Sequence, residues 1–273
     1  MNILRQEKQE AAIAALVEGA SIRSIERMTG IHRDTITRLM VRIGQSCENL
    51  MDTYLHHLNC QNLEVDEIWC YVGKKQRHLK NTDDREELGD QWVFVALDAD
   101  TKLIPSYLVG KRTAANTQAF LADLSNRLDN RVQLSSDSLP LYFEAVELAF
   151  GAGVDYAQVV KTYEAEPIGP GRYSPPKVIR ADRIIISGSP KISKISTSYV
   201  ERQNLTMRMQ MRRFTRLTNA FSKKLKNLKA AVALHFAHYN FVRIHKTLRV
   251  TPAMEAGVTN RLWSISDLLR EAN

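Results

Sequence analysis

Between residues 63 and 110 the apolar side chains come in three dense β-branched and aromatic runs, LEVDEIWCYV, WVFVALDAD and KLIPSYLVG. That change of period constrains the fold more than any other feature of the chain. Before residue 63 the apolar residues recur at helical spacing. After residue 110 the pattern alternates: a helix over about 113–128, a strand RVQLSSD, a helix opened by Pro140 and running to Phe150, and a strand VDYAQVV. An irregular Gly-, Pro- and Ser-rich stretch covers 164–197, and a further helix runs from about Ser198 to Phe214. Consecutive strands followed by strand–helix alternation predict an α/β fold, a mixed sheet flanked by helices. With 273 residues the chain can hold one such core and a small helical domain before it. The expected division is a head over 1–50, a linker over 51–62, the α/β domain over 63–245 and a tail over 246–273.

In the head, Ala12, Ile13, Leu16 and Val17 share one helix face. Ser21 can cap a second helix striped by Ile22, Ile25 and Met28, and a tight turn at Thr29-Gly30-Ile31 leads into a third with Ile36, Leu39, Met40 and Ile43 inward. Two short helices across a Gly-containing turn predict a helix-turn-helix. Its outward residues His32, Arg33, Asp34, Thr35, Thr37 and Arg38 can all bond to base edges or phosphates. A plain three-helix dimerisation bundle would show the same apolar stripes.

Charge is unevenly distributed. The net charge is +8, yet residues 171–250 hold 18 Lys and Arg against two acids, Asp182 and Glu201, while the remainder sums to −8. A basic stretch on an otherwise acidic protein is the footprint of phosphate contacts. The segments TMRMQMRRFTRL and FSKKLKNLK read as helical and place Arg208, Arg212, Arg213, Arg216, Lys223, Lys224 and Lys226 there. Double-stranded DNA is the expected partner. No apolar run approaches the roughly 18 residues a membrane span needs. The three cysteines Cys47, Cys60 and Cys70 show no CxxC spacing, so neither a disulfide scaffold nor a four-ligand zinc site is expected. A cytoplasmic, nucleoid-associated location follows as an expectation.

Three acids stand out. Asp66 lies mid-strand, where a carboxylate is costly unless it faces a ligand or partner. Asp137 ends a strand at the carboxyl edge where open α/β sheets place their sites. Glu201 is the single acid among residues 201–250, which hold twelve Lys and Arg. Three converging carboxylates would suit a pair of Mg²⁺ ions, whereas scattered ones would be structural acids, Glu201 pairing with Arg202 or Arg208.

The order Asp66, Asp137, Glu201 within this strand pattern resembles the DDE transposases of the insertion-sequence-one family, with their ribonuclease H-like fold. The segments that carry the resemblance are VDEIWCYVG, SSDSLPLYFEAV and STSYVERQNLTMRMQMRRFTRLTNAFSK, followed by HFAHYNFVRIHKTLRVTPAMEAG, so it spans roughly residues 60–258. It implies that Asp66, Asp137 and Glu201 ligate two Mg²⁺ or Mn²⁺ ions. It also implies that Arg208, seven residues beyond Glu201 and so on the same helix face, contacts the activated phosphate. Cleavage and strand transfer at the ends of an insertion sequence, by a homo-oligomer in the synaptic complex, is the implied activity. The family usually carries Gly after its second aspartate; Ser138 stands there, which would strain a turn needing positive φ. A transposase-derived DNA-binding regulator would keep the head and basic block without metal. A ribonuclease H-like endonuclease would nick without joining, and a tyrosine recombinase would use Tyr239, Arg243 and His245.

Overall fold

The computed structural model describes residues 4–164, 178–215 and 218–272. Helices α1 (Gln6–Val17), α2 (Ile22–Thr29) and α3 (Arg33–Tyr54) open the chain. Ser21 caps α2 by accepting from the Ser24 amide, and Gly30 ends it at φ 70°, a left-handed conformation glycine adopts without Cβ strain. Ile25 is buried, but Met28 is 64% exposed, so the expected α2 stripe is shorter than its spacing suggests.

The strands are β1 (Asn62–Val72), β2 (Gly89–Asp98) and β3 (Tyr107–Gly110), then α4 (Ala114–Asn126), β4 (Val132–Asp137), α5 (Pro140–Phe150), β5 (Val154–Tyr163) and β6 (Val178–Ser187). Helices α6 (Ser198–Gln210), α7 (Leu225–Ala237), α8 (Pro252–Glu255) and α9 (Ile265–Glu271) complete the order. One six-stranded mixed sheet has the order β3-β2-β1-β4-β5-β6. Strands β1–β3 are mutually antiparallel, β4 runs parallel to both β1 and β5, and β6 returns antiparallel on β5. The α/β class, the mixed sheet and the helical N-terminal region are as the sequence predicts.

Three further features differ from the sequence reading. Strand β6 lies inside the stretch expected to be irregular. Its β-branched residues are interrupted by Arg180, Asp182 and Arg183, and Ile179, Ile184 and Ile185 remain exposed, the composition of a charged edge strand rather than of a core strand. Second, α3 continues to Tyr54, so a boundary at residue 50 falls inside a helix. Gly44 sits against the Ala230 backbone and lets α3 and α7 pack at close range, and head and sheet share one apolar core. The 246–273 segment joins it: Trp263 stacks on Phe241 at 4.7 Å and meets Tyr54 edge-on. Third, α6 stops at Gln210. Met211 turns extended and Phe214 is buried, so tertiary burial overrides helix propensity and leaves Arg212 and Arg213 in a 3₁₀ turn; Lys223 and Lys224 precede α7. No helix among the described residues is long and apolar enough to cross a membrane.

The C-terminal end of α7 carries a buried basic cluster. Burial pushes His235 down to about 3 and His238 down to about 4, the Arg243 charge adding to both. Their unfolded values lie near 6.5, so below that pH the unfolded chain binds protons the folded one refuses, and stability falls as pH drops toward 4. Buried carboxyls pull the other way, so the imidazole share is read by difference. Urea unfolding at pH 7.5 and 5.5 should show the wild type losing about 1 kcal/mol more than His238→Leu. An identical loss in both proteins would contradict the buried neutral imidazole.

Candidate active site

Strand register builds the site. Glu64 pairs with Ser135, so two residues on, Asp66 comes level with Asp137 at the end of β4. Asp137 in turn pairs with Val159 on β5, two residues before Lys161. Side chains in step on neighbouring strands share a face, so Glu64, Asp66, Asp137 and Lys161 line one side of the sheet. Helix α6 covers that side and brings Glu201 and Asn204 from its first two turns.

Glu64 fixes α6 in place. Its Oε2 accepts from the backbone amides of Tyr199 (2.8 Å) and Val200 (2.9 Å), satisfying two of the helix's first-turn donors with a carboxylate where the dipole favours one. Lys102 stacks over the Tyr199 ring at 3.4 Å and closes the same corner. One turn further, Asn204 Nδ2 donates to Asp66 Oδ2 (2.8 Å), while the Glu67 amide donates to Asp66 Oδ1 (2.8 Å). Asp137 is set by its own turn, Oδ1 accepting from the Leu139 amide at 3.0 Å. Ser138 is not among the residues with positive φ, so serine there carries no left-handed strain, and it does not cap α5.

Burial pushes the Asp66 carboxyl up to about 7, and the charges of Glu67, Asp137 and Glu201 push in the same direction. Glu67 points to the other face of β1. It accepts from Arg112 Nη1 (3.2 Å) and the buried Tyr142 hydroxyl (3.1 Å), and burial, with Asp137 nearby, raises it as well. Asp66, Glu67 and Asp137 therefore share one end of the sheet, with Glu201 close by on α6.

Glu201 is engaged elsewhere: its Oε1 accepts from Lys161 Nζ and from the Thr197 hydroxyl. Among the described residues no group of three or more His, Cys, Asp or Glu is close enough together to hold a metal ion. Asp66 and Asp137 thus share a sheet face under the helix that bears Glu201, without the three forming a ready coordination sphere. Their chemistry still fits hard divalent cations: the donors are all carboxylate oxygens, and a carboxyl raised to about 7 by burial, with acidic neighbours adding to it, is a group that a cation would relieve. Lys161 supplies the positive charge beside Glu201.

Arg208 lies two turns along α6 from Glu201, and its charge reaches Cys70 on β1. In the head, Arg33 and Arg38 are exposed. Thr37 bonds back to the Arg33 carbonyl (2.9 Å), and Thr35 accepts from Arg38 Nη2 (3.3 Å). Arg212 and Lys224 are exposed, and Lys223 lies over the Phe221 ring at 3.7 Å. Arg213 does not reach outward as the sequence suggests. Its guanidinium meets Ser222 Oγ (3.1 Å) and Met40 Sδ, tying α3 to the segment before α7. Arg216 lies outside the described residues. Sequence reasoning missed Glu64, Glu67, Lys161 and Asn204. The run EVDE, with acids on both faces of one strand, was the available signal for the first two.

No protein-family model matches the chain, and no curated protein matches it. Among solved structures it is similar to the Mos1 transposase paired-end complex with the left transposon end (15% identity, TM-score 0.24), covering 57% of this chain and 60% of that one. It is also similar to the Mos1 strand transfer complex (16%, TM-score 0.24, covering 57% and 59%) and the Mos1 mariner paired-end complex with Mn (14%, TM-score 0.22, covering 55% and 57%). The chain spans about three fifths of the length of those chains. At TM-scores this low the likeness carries no argument.

Proposed function

We propose that this chain is a DDE-type DNA transposase of the insertion-sequence-one kind, a polynucleotidyl transferase cutting and joining DNA at the ends of a mobile element. The observation that carries the reading is the register of Asp66 with Asp137 beneath the helix that bears Glu201. Asp66, Asp137 and Glu201 would hold two Mg²⁺ or Mn²⁺ ions. When bound, the ions would supply activation of water or a 3′-hydroxyl and charge neutralisation at the scissile phosphate. Asn204 and the Glu67 amide orient Asp66, and the Leu139 amide orients Asp137. Glu64 holds the first turn of α6, the helix that bears Glu201. Lys161 neutralises Glu201 until the carboxylate is needed as a ligand. Arg208 would steady the reacting phosphate. The head, as a helix-turn-helix, reads the terminal repeats, the basic 171–250 block grips DNA, and a homo-oligomer pairs the two ends.

This division of labour gives an expected result. Arg33→Ala with Arg38→Ala should narrow the affinity gap between element-end and random duplex, because base contacts specify. Arg212→Ala with Lys224→Ala should weaken both about equally and flatten the salt dependence by roughly two phosphate contacts. Fluorescence polarisation across a salt series separates the two, and unchanged discrimination after the head substitutions would contradict the assignment.

The Lys161–Glu201 pair favours a second reading, a transposase-derived DNA-binding regulator without catalysis. Calorimetric titration with Mn²⁺ decides: binding that Glu201→Gln abolishes supports the enzyme, and no binding supports the regulator.

A further inference from the structure

A cleft of about 780 Å³ lies at the seam between the N-terminal helices and α7, away from the acidic face of the sheet. Among the described residues its charged lining is Arg23, Arg33, Arg212, Arg213 and Lys223 against a single acid, Asp34. Helices α2 and α3 both begin at its edge, adding the positive ends of two dipoles. Asn227, Ala231, Leu234 and His235 face it from α7 at i, i+4, i+7 and i+8, so one stripe of that helix forms the inner wall.

Among the described residues, two groups in this lining lack partners that their chemistry calls for. His235 is 2% exposed, and among the described residues neither ring nitrogen has a hydrogen-bond partner. A buried polar group left in that state is costly, and an imidazole offers one donor and one acceptor together. Among the described residues Arg213 is anchored only to a hydroxyl and a thioether, and no carboxylate pairs with it. The rest of the wall is apolar, with Leu16, Met40, Met211 and Phe221 prominent. Phe221 is itself held from behind by the Tyr71 ring at 4.6 Å. A half-apolar cleft with a cationic rim, an aromatic ring and a donor–acceptor pair inside matches a ligand having a flat heterocycle and a phosphate. The volume is within the range of small-ligand sites.

We infer that this cleft receives a single nucleotide, its phosphate on Arg212, Arg213 and Lys223 and its base edge against His235. The nucleotide is either an unpaired one at a DNA end or a free one. This deepens the DNA-binding reading and is separable from it, since binding of blunt duplex by the same protein reports on that reading alone.

The test uses the full chain and three probes: a blunt duplex, the same duplex with a short 3′ overhang carrying 2-aminopurine, and fluorescently labelled ATP. The tailed duplex should bind about tenfold tighter than the blunt one, with a change in 2-aminopurine emission as the base leaves its stack. His235→Phe, which fills the same space without nitrogens, should erase that preference while leaving blunt-duplex affinity within about twofold. Arg212→Gln with Lys223→Gln, both at the rim, should reduce the preference without depending on the core. If labelled ATP binds and His235→Phe abolishes it while the two duplexes bind alike, the inference stands with a free nucleotide as the source. Equal affinity for both duplexes and no binding of ATP would overturn it. So would a preference that survives both sets of substitutions in folded proteins.

Discussion

Asparagine in place of Asp66 is expected to eliminate metal-dependent cleavage, by more than about 100-fold, beyond what losing an outer-sphere partner costs. The same change should leave the fold as stable as before or more so. Asp66 is buried among Glu67, Asp137 and Glu201, and above pH 7 its charge opposes folding. The asparagine amide removes that charge. It also finds a partner: among the described residues Asn204 Oδ1 is buried without one, so a flip of the Asn204 amide restores a hydrogen bond to residue 66. Thermal melting at pH 8 should show the Tm of Asp66→Asn unchanged or raised by roughly 2–4 °C. Asp66→Ala, by contrast, orphans the Asn204 amide and the Glu67 N–H and should destabilise by about 1–3 kcal/mol. A Tm for Asp66→Asn as low as that of Asp66→Ala would contradict this account of the site's electrostatics.

The second large effect concerns the join between head and sheet. A Cβ at Gly44 would stand 2.0 Å from the Ala230 carbonyl oxygen and 2.7 Å from its Cα. These are backbone atoms on α7, so no side chain can move aside. Gly44→Val should force α3 and α7 apart and destabilise by about 3 kcal/mol, a fall in Tm of roughly 6–12 °C for a chain of this size. Because α7 also lines the nucleotide cleft, the variant should lose tailed-duplex preference together with stability. A Tm within a degree of wild type would show that the helices do not pack at this distance.

Asp66 and Asp137 were legible because strands announce themselves by period: a carboxylate breaks the apolar run at a countable position, and Pro140 marks where β4 must end. The parallel register that sets the two acids level depends on β1 and β4, sixty residues apart, and no local pattern encodes it. Glu201 was legible as the lone acid in a basic segment, whereas its engagement with Lys161 required knowing that β5 lies beside β4. Glu64 looks like any strand acid until α6 is placed over it, and Asn204 has no charge to draw notice. Strand β6 was hidden because an edge strand needs only one partner and tolerates charges that a central strand excludes. The arginines at 212 and 213 look equivalent in sequence. Burial of Phe214 rotates the turn so that one stays outside and the other is drawn between α3 and Ser222.

If Asp66, Asp137 and Glu201 act together on DNA as proposed, a plasmid carrying the two ends of the proposed element, incubated with purified protein and Mg²⁺ or Mn²⁺, should show it in its cut ends and joined products. The wild type should yield 3′-hydroxyl ends and strand-transfer products that disappear with chelator. Asp66→Asn, Asp137→Asn and Glu201→Gln should each bind the ends with wild-type affinity and yield neither. Cleavage by Asp66→Asn at the wild-type rate would contradict the account.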